Sequence, residues 1–231
     1  MVEKLVKIQA EPETVEVDLS RTAVIVVDMQ NAFVSKGGMW DVRGVDVTKI
    51  WRVIKPIKQV LEAARNSAVK VIYIRHAYRP DLTDAGNMES PNYWKNPGLV
   101  MLRKNPSYRE KIIIDGVWGS NIIDELKPLE TDIVVTKPRY SGFANTDLDA
   151  LLRKLNIKFL FFTGIATNIC VESTIRDAFH KEYWPILIAD CCMHLGPEYL
   201  QRATFWNIKR VFGWITNSKE FIQAVGGTKK S

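Results

Sequence analysis

The sequence predicts a three-layer α/β/α fold in which a doubly wound, mainly parallel sheet of six strands lies between helices. Apolar runs alternate with segments of helical period along the chain, which is the pattern of βαβ units. The chain has 231 residues, 46% of them hydrophobic, which is enough to bury one large core. No internal repeat or low-complexity linker divides it. We therefore expect a single domain over residues 1–231.

Six apolar runs are the candidate strands, and we expect them to lie side by side in the order 3-2-1-4-5-6. They cover residues 22–28, 69–75, 132–137, 157–165, 185–190 and 209–215. In this order the first and fourth strands flank the point at which the winding reverses. Ligands of open α/β sheets bind there, beyond the carboxyl ends of the strands.

The helices are predicted from apolar residues at helical spacing and from capping residues. A helix over 48–66 contains Pro56, which either kinks it or marks its true start. The next helix opens at Asn145 and places leucines on one face. Later helices are predicted over 168–182, 197–207 and 217–224.

Two segments are predicted to be irregular. Residues 77–110 are rich in Pro, Gly, Asn and Tyr and exceed an ordinary connection, so we expect a substrate-binding loop there. Residues 226–231 are expected to be a frayed C-terminal tail.

Composition argues against several classes of protein. The net charge of +6 comes from basic residues scattered among 26 acidic ones, so no nucleic-acid partner is expected. No apolar stretch approaches the roughly 20 residues of a membrane span, so no membrane association is expected either. Three cysteines, with Cys191 and Cys192 adjacent, suit neither a disulfide framework nor a zinc site. We therefore expect a cytoplasmic protein in a reducing compartment.

Three reactive side chains follow predicted strands. Asp28 and Lys137 each end an apolar run, and Cys170 lies between the fourth strand and the next helix. Because the carboxyl ends of parallel strands share one edge of the sheet, these groups are expected to converge. The first turn of a helix favours the thiolate and can bring the pKa of a cysteine to about 7 or below. Taken singly, Cys170 could be a buried small hydrophobe, Asp28 a cap and Lys137 a surface charge.

Three motifs in order give the chain a family resemblance. They are VVDMQN at 26–31, KPRYSGF at 137–143 and GIATNICVEST at 164–174. Together they resemble the isochorismatase-like cysteine hydrolases, over about residues 22 to 222. The resemblance implies a catalytic triad of Asp28, Lys137 and Cys170, with an oxyanion hole formed by the N–H groups of Ala166 and Cys170. It also implies a cis peptide between Ile165 and Ala166.

The resemblance further implies cysteine-dependent hydrolysis of a C–N bond. Asp28 would accept the thiol proton, the sulfur would attack a carbonyl, and a thioester intermediate would be hydrolysed. The longer match over residues 164–179 indicates a small ureido or carbamoyl substrate of the ureidoacrylate type, from pyrimidine degradation, with release of ammonia or carbamate. Amidases of the N-carbamoylsarcosine or nicotinamide type remain alternatives. So does a reactive-thiol binding protein without hydrolysis.

Substrate contacts are predicted from residue chemistry near the strand ends. Arginine and amide groups suit the substrate carboxylate, aromatic rings could form walls, and a histidine could orient the substrate. Any one candidate arginine could instead form an ion pair with a neighbouring surface residue, and the candidate aromatic residues could belong to the core. The predicted contacts are Asn31, His76, Tyr78, Arg139 and Tyr140, with Arg75 and Trp94 as further candidates.

No metal and no cofactor are expected. Nicotinamidases of this family use a D-x-H motif and a second histidine, but no histidine follows Asp28 before His76. The three histidines are too dispersed for ligand spacing. His194 could form a rival Cys-His dyad, although a structural hydrogen bond is the simpler expectation. The resemblance implies a homo-oligomer, a dimer or tetramer, for which the aromatic C-terminal third could supply an interface or core.

Overall fold

The computed structural model describes residues 4–67 and 69–226 and has a parallel six-stranded sheet at its centre. A two-stranded antiparallel hairpin, β1 (Leu5–Ile8) and β2 (Val15–Asp18), precedes it. The sheet strands are β3 (Thr22–Val27), β4 (Lys70–His76), β5 (Ile133–Lys137), β6 (Phe159–Ile165), β7 (Trp184–Met193) and β8 (Trp214–Thr216). Their order is β5-β4-β3-β6-β7-β8 with every neighbouring pair parallel, which confirms the predicted order 3-2-1-4-5-6.

Helices cover both faces of this sheet. They are α1 (Asn31–Val34), α2 (Met39–Val42), α3 (Ile54–Arg65), α4 (Pro91–Lys95), α5 (Pro97–Lys104), α6 (Leu148–Lys154), α7 (Glu172–His180), α8 (Glu198–Asn207) and α9 (Ser218–Gly226). Within the described residues, no helix has the length and apolarity that crossing a bilayer requires.

The central strand β3 shows why the fold has three layers. Successive side chains of a strand point to opposite faces, and every residue of β3 is buried. Val24 and Val26 pack into one apolar cluster with α3 and α9. Ala23, Ile25 and Val27 pack into a second cluster with α6 and α7. A strand that is apolar on both faces therefore needs helices on both sides, as parallel sheets generally do.

Two local predictions need correction. The run 209–215 is not one strand, because residues Ile208–Phe212 continue α8 as a π-helical turn and only Trp214–Thr216 joins the sheet. A short apolar run cannot be assigned to strand or helix from its period alone. The predicted helix over 168–182 also divides into a π-helical turn and α7. Pro56 lies in the first turn of α3, where its missing N–H costs nothing, so it marks the start of the helix.

The segment 77–110 is less irregular than its composition indicates, since α4 and α5 lie within it. Each of these helices begins with a proline, which suits the first helical position. At the other predicted irregular segment, Gly226 ends α9 and residues 227–231 lie outside the described residues.

Candidate active site

Asp28 is the first residue beyond the central strand β3, and its backbone is held in the left-handed region with φ of 53°. Aspartate tolerates this conformation better than most residues. Uncommon backbone conformations of this kind cluster at functional sites. The side chain is buried at the carboxyl edge of the sheet, next to the point where the winding reverses.

Lys137 ends β5 and reaches Asp28 across the intervening strand β4. The two residues are 109 positions apart, yet Lys137 Nζ donates to Asp28 Oδ2 at 2.9 Å. Nζ also donates to the Arg139 carbonyl at 3.1 Å. Both side chains of the ion pair are almost fully buried. The lysine side chain is therefore long enough to span the distance that the strand order imposes.

Cys170 lies in the π-helical turn Thr167–Val171, which follows β6. The peptide bond between Ile165 and Ala166 is cis. The Ala166 carbonyl accepts the N–H groups of Ile169 at 3.0 Å and Val171 at 3.2 Å, so the turn folds back over the end of the strand.

Gly164 allows this turn to lie directly against β3. Its φ of +100° is disfavoured for other residues, and a Cβ added there would lie 2.1 Å from the Val27 carbonyl oxygen. Any side chain at this position would push β6 away from the strand that carries Asp28. Glycine is therefore required for the close approach of the strand ends that precede Asp28 and Cys170.

The three groups that meet here are a carboxylate, an imidazole and a thiol. An oxygen of Asp28, a ring nitrogen of His76 and Sγ of Cys170 all lie within 4.8 Å of one another, and all three residues are buried. Oδ1 of Asp28 has no hydrogen-bond partner in the described part of the chain. Since Oδ2 is held by Lys137, Oδ1 is the oxygen that is free to accept a proton.

The electrostatics of the site follow from burial and from the neighbouring polar groups. Burial raises the pKa of Cys170, and the negative charge of Asp28 adds to this rise. Burial also raises the pKa of Asp28, while Lys137 opposes the rise. For Lys137, burial lowers the pKa but is outweighed by the charge of Asp28 and by interactions with Asp28 and Cys170, so the pKa is raised. The expectation that the following helix lowers the pKa of the Cys170 thiol is wrong, because desolvation dominates.

A small cavity of about 60 Å³ opens onto these residues. Its polar lining consists of Asp28, His76, Asn96, Tyr140 and Cys170. Its apolar lining consists of Phe33, Met39, Trp40, Pro97, Ile113, Ile165, Ala166, Ile169 and Leu195. A volume of this size admits a small molecule and not a peptide segment. Mostly apolar walls with a few convergent polar groups are typical of a substrate pocket.

Of the predicted substrate contacts, the structure places His76 and Tyr140 in the cavity wall and Asn31, Tyr78 and Arg139 outside it. Asn31 Nδ2 donates to the Trp118 carbonyl at 3.1 Å. The Tyr78 hydroxyl accepts from Asn92 at 2.9 Å.

The candidate arginines also form hydrogen bonds or ion pairs with other residues of the protein. Arg139 donates to the carbonyls of Asp84 at 2.8 Å and Pro138 at 2.7 Å. Arg75 forms an ion pair with Asp115 at 2.7 Å. Trp94, the remaining candidate, is exposed and donates to the Met88 carbonyl at 2.8 Å. These side chains hold loops in place, and their contacts with a substrate stay predictions.

Two residues near the nucleophile were missed by the sequence analysis. Asn96 caps α5 by accepting from Gly98 N at 3.0 Å, and it also interacts with the Tyr140 hydroxyl. The Asn-Pro-Gly start of that helix is a recognisable cap signal. Thr174 donates to the Cys170 carbonyl at 2.6 Å and accepts from Gly142 N at 2.9 Å. It thereby joins the nucleophile turn to the loop after β5, and no local pattern reveals this.

The remaining site predictions concern His194 and metal ions. His194 does not line the active-site cavity but a neighbouring pocket, and its Nδ1 has no hydrogen-bond partner among the described residues. The side chains of Asp28, His76 and Cys170 are of kinds that bind metal ions, and they lie close together. However, the Lys137 ammonium beside Asp28 would repel a cation there. That no metal is required stays a prediction.

Comparison with known proteins identifies the family. A family model described as the isochorismatase domain matches residues 22–220. The chain belongs to the isochorismatase family. Among curated members, a ureidoacrylate amidohydrolase of Rhizobium rhizogenes is 44% identical over 220 residues, covering 95% of this chain and 89% of that protein. One of Acinetobacter baylyi is 44% identical over 215 residues, covering 93% and 88%.

Solved structures of the isochorismatase family have the same fold. A cysteine hydrolase from Pseudomonas syringae pv. phaseolicola 1448A superposes with a TM-score of 0.77 and 30% identity, covering 99% of this chain and 100% of that one. An N-carbamoylsarcosine amidase from Thermoplasma acidophilum has a TM-score of 0.62 and 25% identity, covering 86% and 96%. The family resemblance inferred from the three sequence motifs is thus confirmed.

Proposed function

We propose that this chain is a cysteine-dependent amidohydrolase that cleaves a C–N bond of a small ureido compound of the ureidoacrylate type. The observation that carries the proposal is the convergence of Cys170 Sγ and an oxygen of Asp28 at one small cavity, beside the buried ammonium of Lys137. Relatives that are 44% identical over nearly the whole chain and named ureidoacrylate amidohydrolases support the choice of substrate.

The first half of the reaction forms a covalent intermediate. Asp28 accepts the proton of Cys170 through Oδ1 while Sγ attacks the carbamoyl carbon. This proton transfer is needed because the raised pKa of Cys170 keeps the thiol neutral before substrate binds. The N–H groups of Ala166 and Cys170 stabilise the negative oxygen of the tetrahedral adduct. Lys137 keeps Asp28 ionised between turnovers.

The second half releases both products. Asp28 returns its proton to the leaving nitrogen as the C–N bond breaks, which leaves a carbamoyl group on the sulfur. This thioester-type intermediate is then attacked by water, with Asp28 again accepting a proton. The thiol is regenerated and carbamate is released, which decomposes to ammonia and carbon dioxide. Each proton taken by Asp28 is returned to a departing group, so the cycle balances.

A substrate panel tests the proposal. Ureidoacrylate, N-carbamoylsarcosine and nicotinamide are each incubated with the wild type, and substrate loss and ammonia release are measured. We expect the highest kcat/KM for ureidoacrylate and a loss of about a thousandfold or more in Cys170→Ser. The matched control is Cys191→Ala, which removes a thiol buried elsewhere in the core. Hydrolysis of nicotinamide alone, or thiol modification without hydrolysis, would contradict the proposed function.

We also propose that the enzyme is a single-domain, cytoplasmic homo-oligomer acting in pyrimidine degradation. The match of one family model to residues 22–220 supports a single domain. Of the C-terminal aromatic residues, Trp206 is 57% exposed, whereas Phe205, Phe212 and Trp214 pack against the core. An exposed tryptophan supports an interface between copies, and light scattering on the wild type and Trp206→Glu tests it.

A further inference from the structure

His76 lines the active-site cavity and has a ring nitrogen whose hydrogen-bonding capacity is unused. The residue is 2% exposed, and its Nε2 is buried without a hydrogen-bond partner among residues 4–67 and 69–226. A ring nitrogen lies within 4.8 Å of both Cys170 Sγ and an oxygen of Asp28. The mechanism described above does not use this atom. An unpaired polar atom buried beside a nucleophile is costly unless a substrate completes its hydrogen bond.

The surroundings of the ring determine which nitrogen carries the proton. The imidazole interacts with the backbone of Pro138, which has no N–H group, so the ring must donate to the Pro138 carbonyl. Since Nε2 has no partner, the donor is Nδ1. A neutral imidazole has one N–H, and Nε2 is therefore an acceptor with a free lone pair.

The ring stays neutral and fixed at physiological pH. Burial lowers the pKa of His76 well below 6.5, and the charges of Lys137 and Arg139 add to this effect. The rings of Tyr78 and Tyr140 lie edge-on to the imidazole, with centroids 5.3 and 6.1 Å away. The aromatic contacts hold the ring in place, and His76 lines the same cavity as Cys170.

Asp28 and His76 therefore differ in what they can do to a nitrogen of the substrate. Asp28 holds a proton after the thiol has attacked, and it can give that proton to a departing amine. His76 Nε2 can accept a hydrogen bond but has no proton to give. A urea carbonyl carries two nitrogens, and only the protonated one can leave as an amine.

We propose that His76 holds the unsubstituted NH₂ of a ureide and so directs cleavage to the other, substituted nitrogen. This inference rests on the proposed function. The substrate class is then a monosubstituted ureide, H₂N–CO–NH–R, whose carbamoyl group is transferred whole to Cys170. A simple amide or an N-acetyl compound presents a carbon at Nε2, leaves that atom unpaired and reacts more slowly.

A matched substrate pair isolates the role of His76. In 3-acetamidoacrylate a methyl group replaces the NH₂ of ureidoacrylate, and the rest of the molecule is unchanged. We expect the wild type to prefer ureidoacrylate by about 10- to 100-fold in kcat/KM. His76→Phe keeps the ring size but removes the acceptor, and it is expected to bring this preference close to one. His76→Asn retains an acceptor oxygen and is expected to keep most of the preference.

Trapping the intermediate tests the direction of cleavage in the wild type. A single turnover of ureidoacrylate is quenched with acid and the peptide containing Cys170 is analysed by mass spectrometry. The expected adduct has the mass of one carbamoyl group. Equal losses for both substrates in His76→Phe, with unchanged preference, would overturn the inference and leave the proposed function intact. An adduct that retains the acrylate would overturn the inference and also the carbamoyl intermediate proposed above, although hydrolysis of a C–N bond by Cys170 would stand. If the wild type hydrolyses neither compound, the proposed function fails and the inference fails with it.

Discussion

Cys170 and the adjacent pair Cys191–Cys192 show that burial alone does not distinguish a nucleophile from a structural thiol. All three cysteines are buried, and burial raises the pKa of each. A carboxylate lies near the thiols in both regions, Asp28 beside Cys170 and Asp190 beside the pair.

The two carboxylates differ in how their oxygens are used. Asp190 accepts two hydrogen bonds from Ser218, one through each oxygen, at 2.8 and 2.5 Å. Asp28 has one oxygen on Lys137 and the other without a partner in the described chain. The region around Cys170 therefore has a base ready to accept a proton and a cation to keep that base ionised. Around Cys191 and Cys192, both oxygens of the neighbouring carboxylate already accept hydrogen bonds from Ser218.

Removing each thiol gives the largest expected difference between the two regions. Cys170→Ser should lower kcat/KM for ureidoacrylate by about a thousandfold or more, because a hydroxyl is a far weaker nucleophile. Cys191→Ala should retain activity and lose about 1 kcal/mol of stability, since it creates only a small cavity. Kinetic assays and urea denaturation measure the two effects. Residual activity above one part in ten for Cys170→Ser would contradict the assignment.

Breaking the ion pair should affect both activity and stability. Lys137→Met leaves the buried carboxylate of Asp28 without its cation, at an expected cost of about 3 to 5 kcal/mol in the free energy of unfolding. Asp28→Asn removes the base and should lower kcat/KM by about a hundredfold or more. The double variant should regain much of the stability that Lys137→Met loses but none of the activity. If the losses in stability simply add, the buried pair is not coupled.

High pH should destabilise the protein through its buried thiols. A group whose pKa is raised by folding contributes stability that is fully present below its unfolded pKa and is lost as pH rises toward the folded value. The ordinary thiol value is 9.0, and all three cysteines are shifted upward. The free energy of unfolding should therefore fall above about pH 9, by up to about 1.4 kcal/mol per pH unit for each thiol.

Urea denaturation at pH 8, 9 and 10 measures this fall. Cys191→Ala and Cys170→Ala should each reduce its slope, because each removes one thiol that ionises only after unfolding. A wild-type slope that neither variant changes would show that other groups account for the loss of stability.

The smallest effects distinguish the two tyrosines near His76. Tyr140 lines the cavity, so Tyr140→Phe should lower kcat/KM by about tenfold through the loss of one hydrogen bond to Asn96 or substrate. Tyr78 lies outside the cavity and its hydroxyl binds Asn92, so Tyr78→Phe should cost about 1 kcal/mol of stability and leave kcat/KM within about threefold. The reverse ranking would show that the substrate extends beyond the cavity described here.

The strand order and the catalytic strand ends could be predicted from the sequence because they depend on local patterns. Apolar runs flanked by helical periods define parallel strands, and Asp28 and Lys137 follow such runs directly. The N-terminal hairpin was missed, since each of its strands has only four residues. Likewise, the mixed run 209–215 could not be divided into a π-helical turn and a strand from its period.

The sequence by itself determined the fold, the family and the three groups that we propose carry out the reaction. Each of these can be recognised from short continuous runs or motifs in the chain. Only the tertiary structure decided which neighbours those groups meet. It showed that Arg139 and Asn31 donate to loop carbonyls, whereas His76 lines the cavity and keeps a ring nitrogen without a partner in the described chain. Hydrogen-bond partners and desolvation depend on residues far apart in the chain. For this reason the raised pKa of Cys170 could not be deduced from its position before a helix.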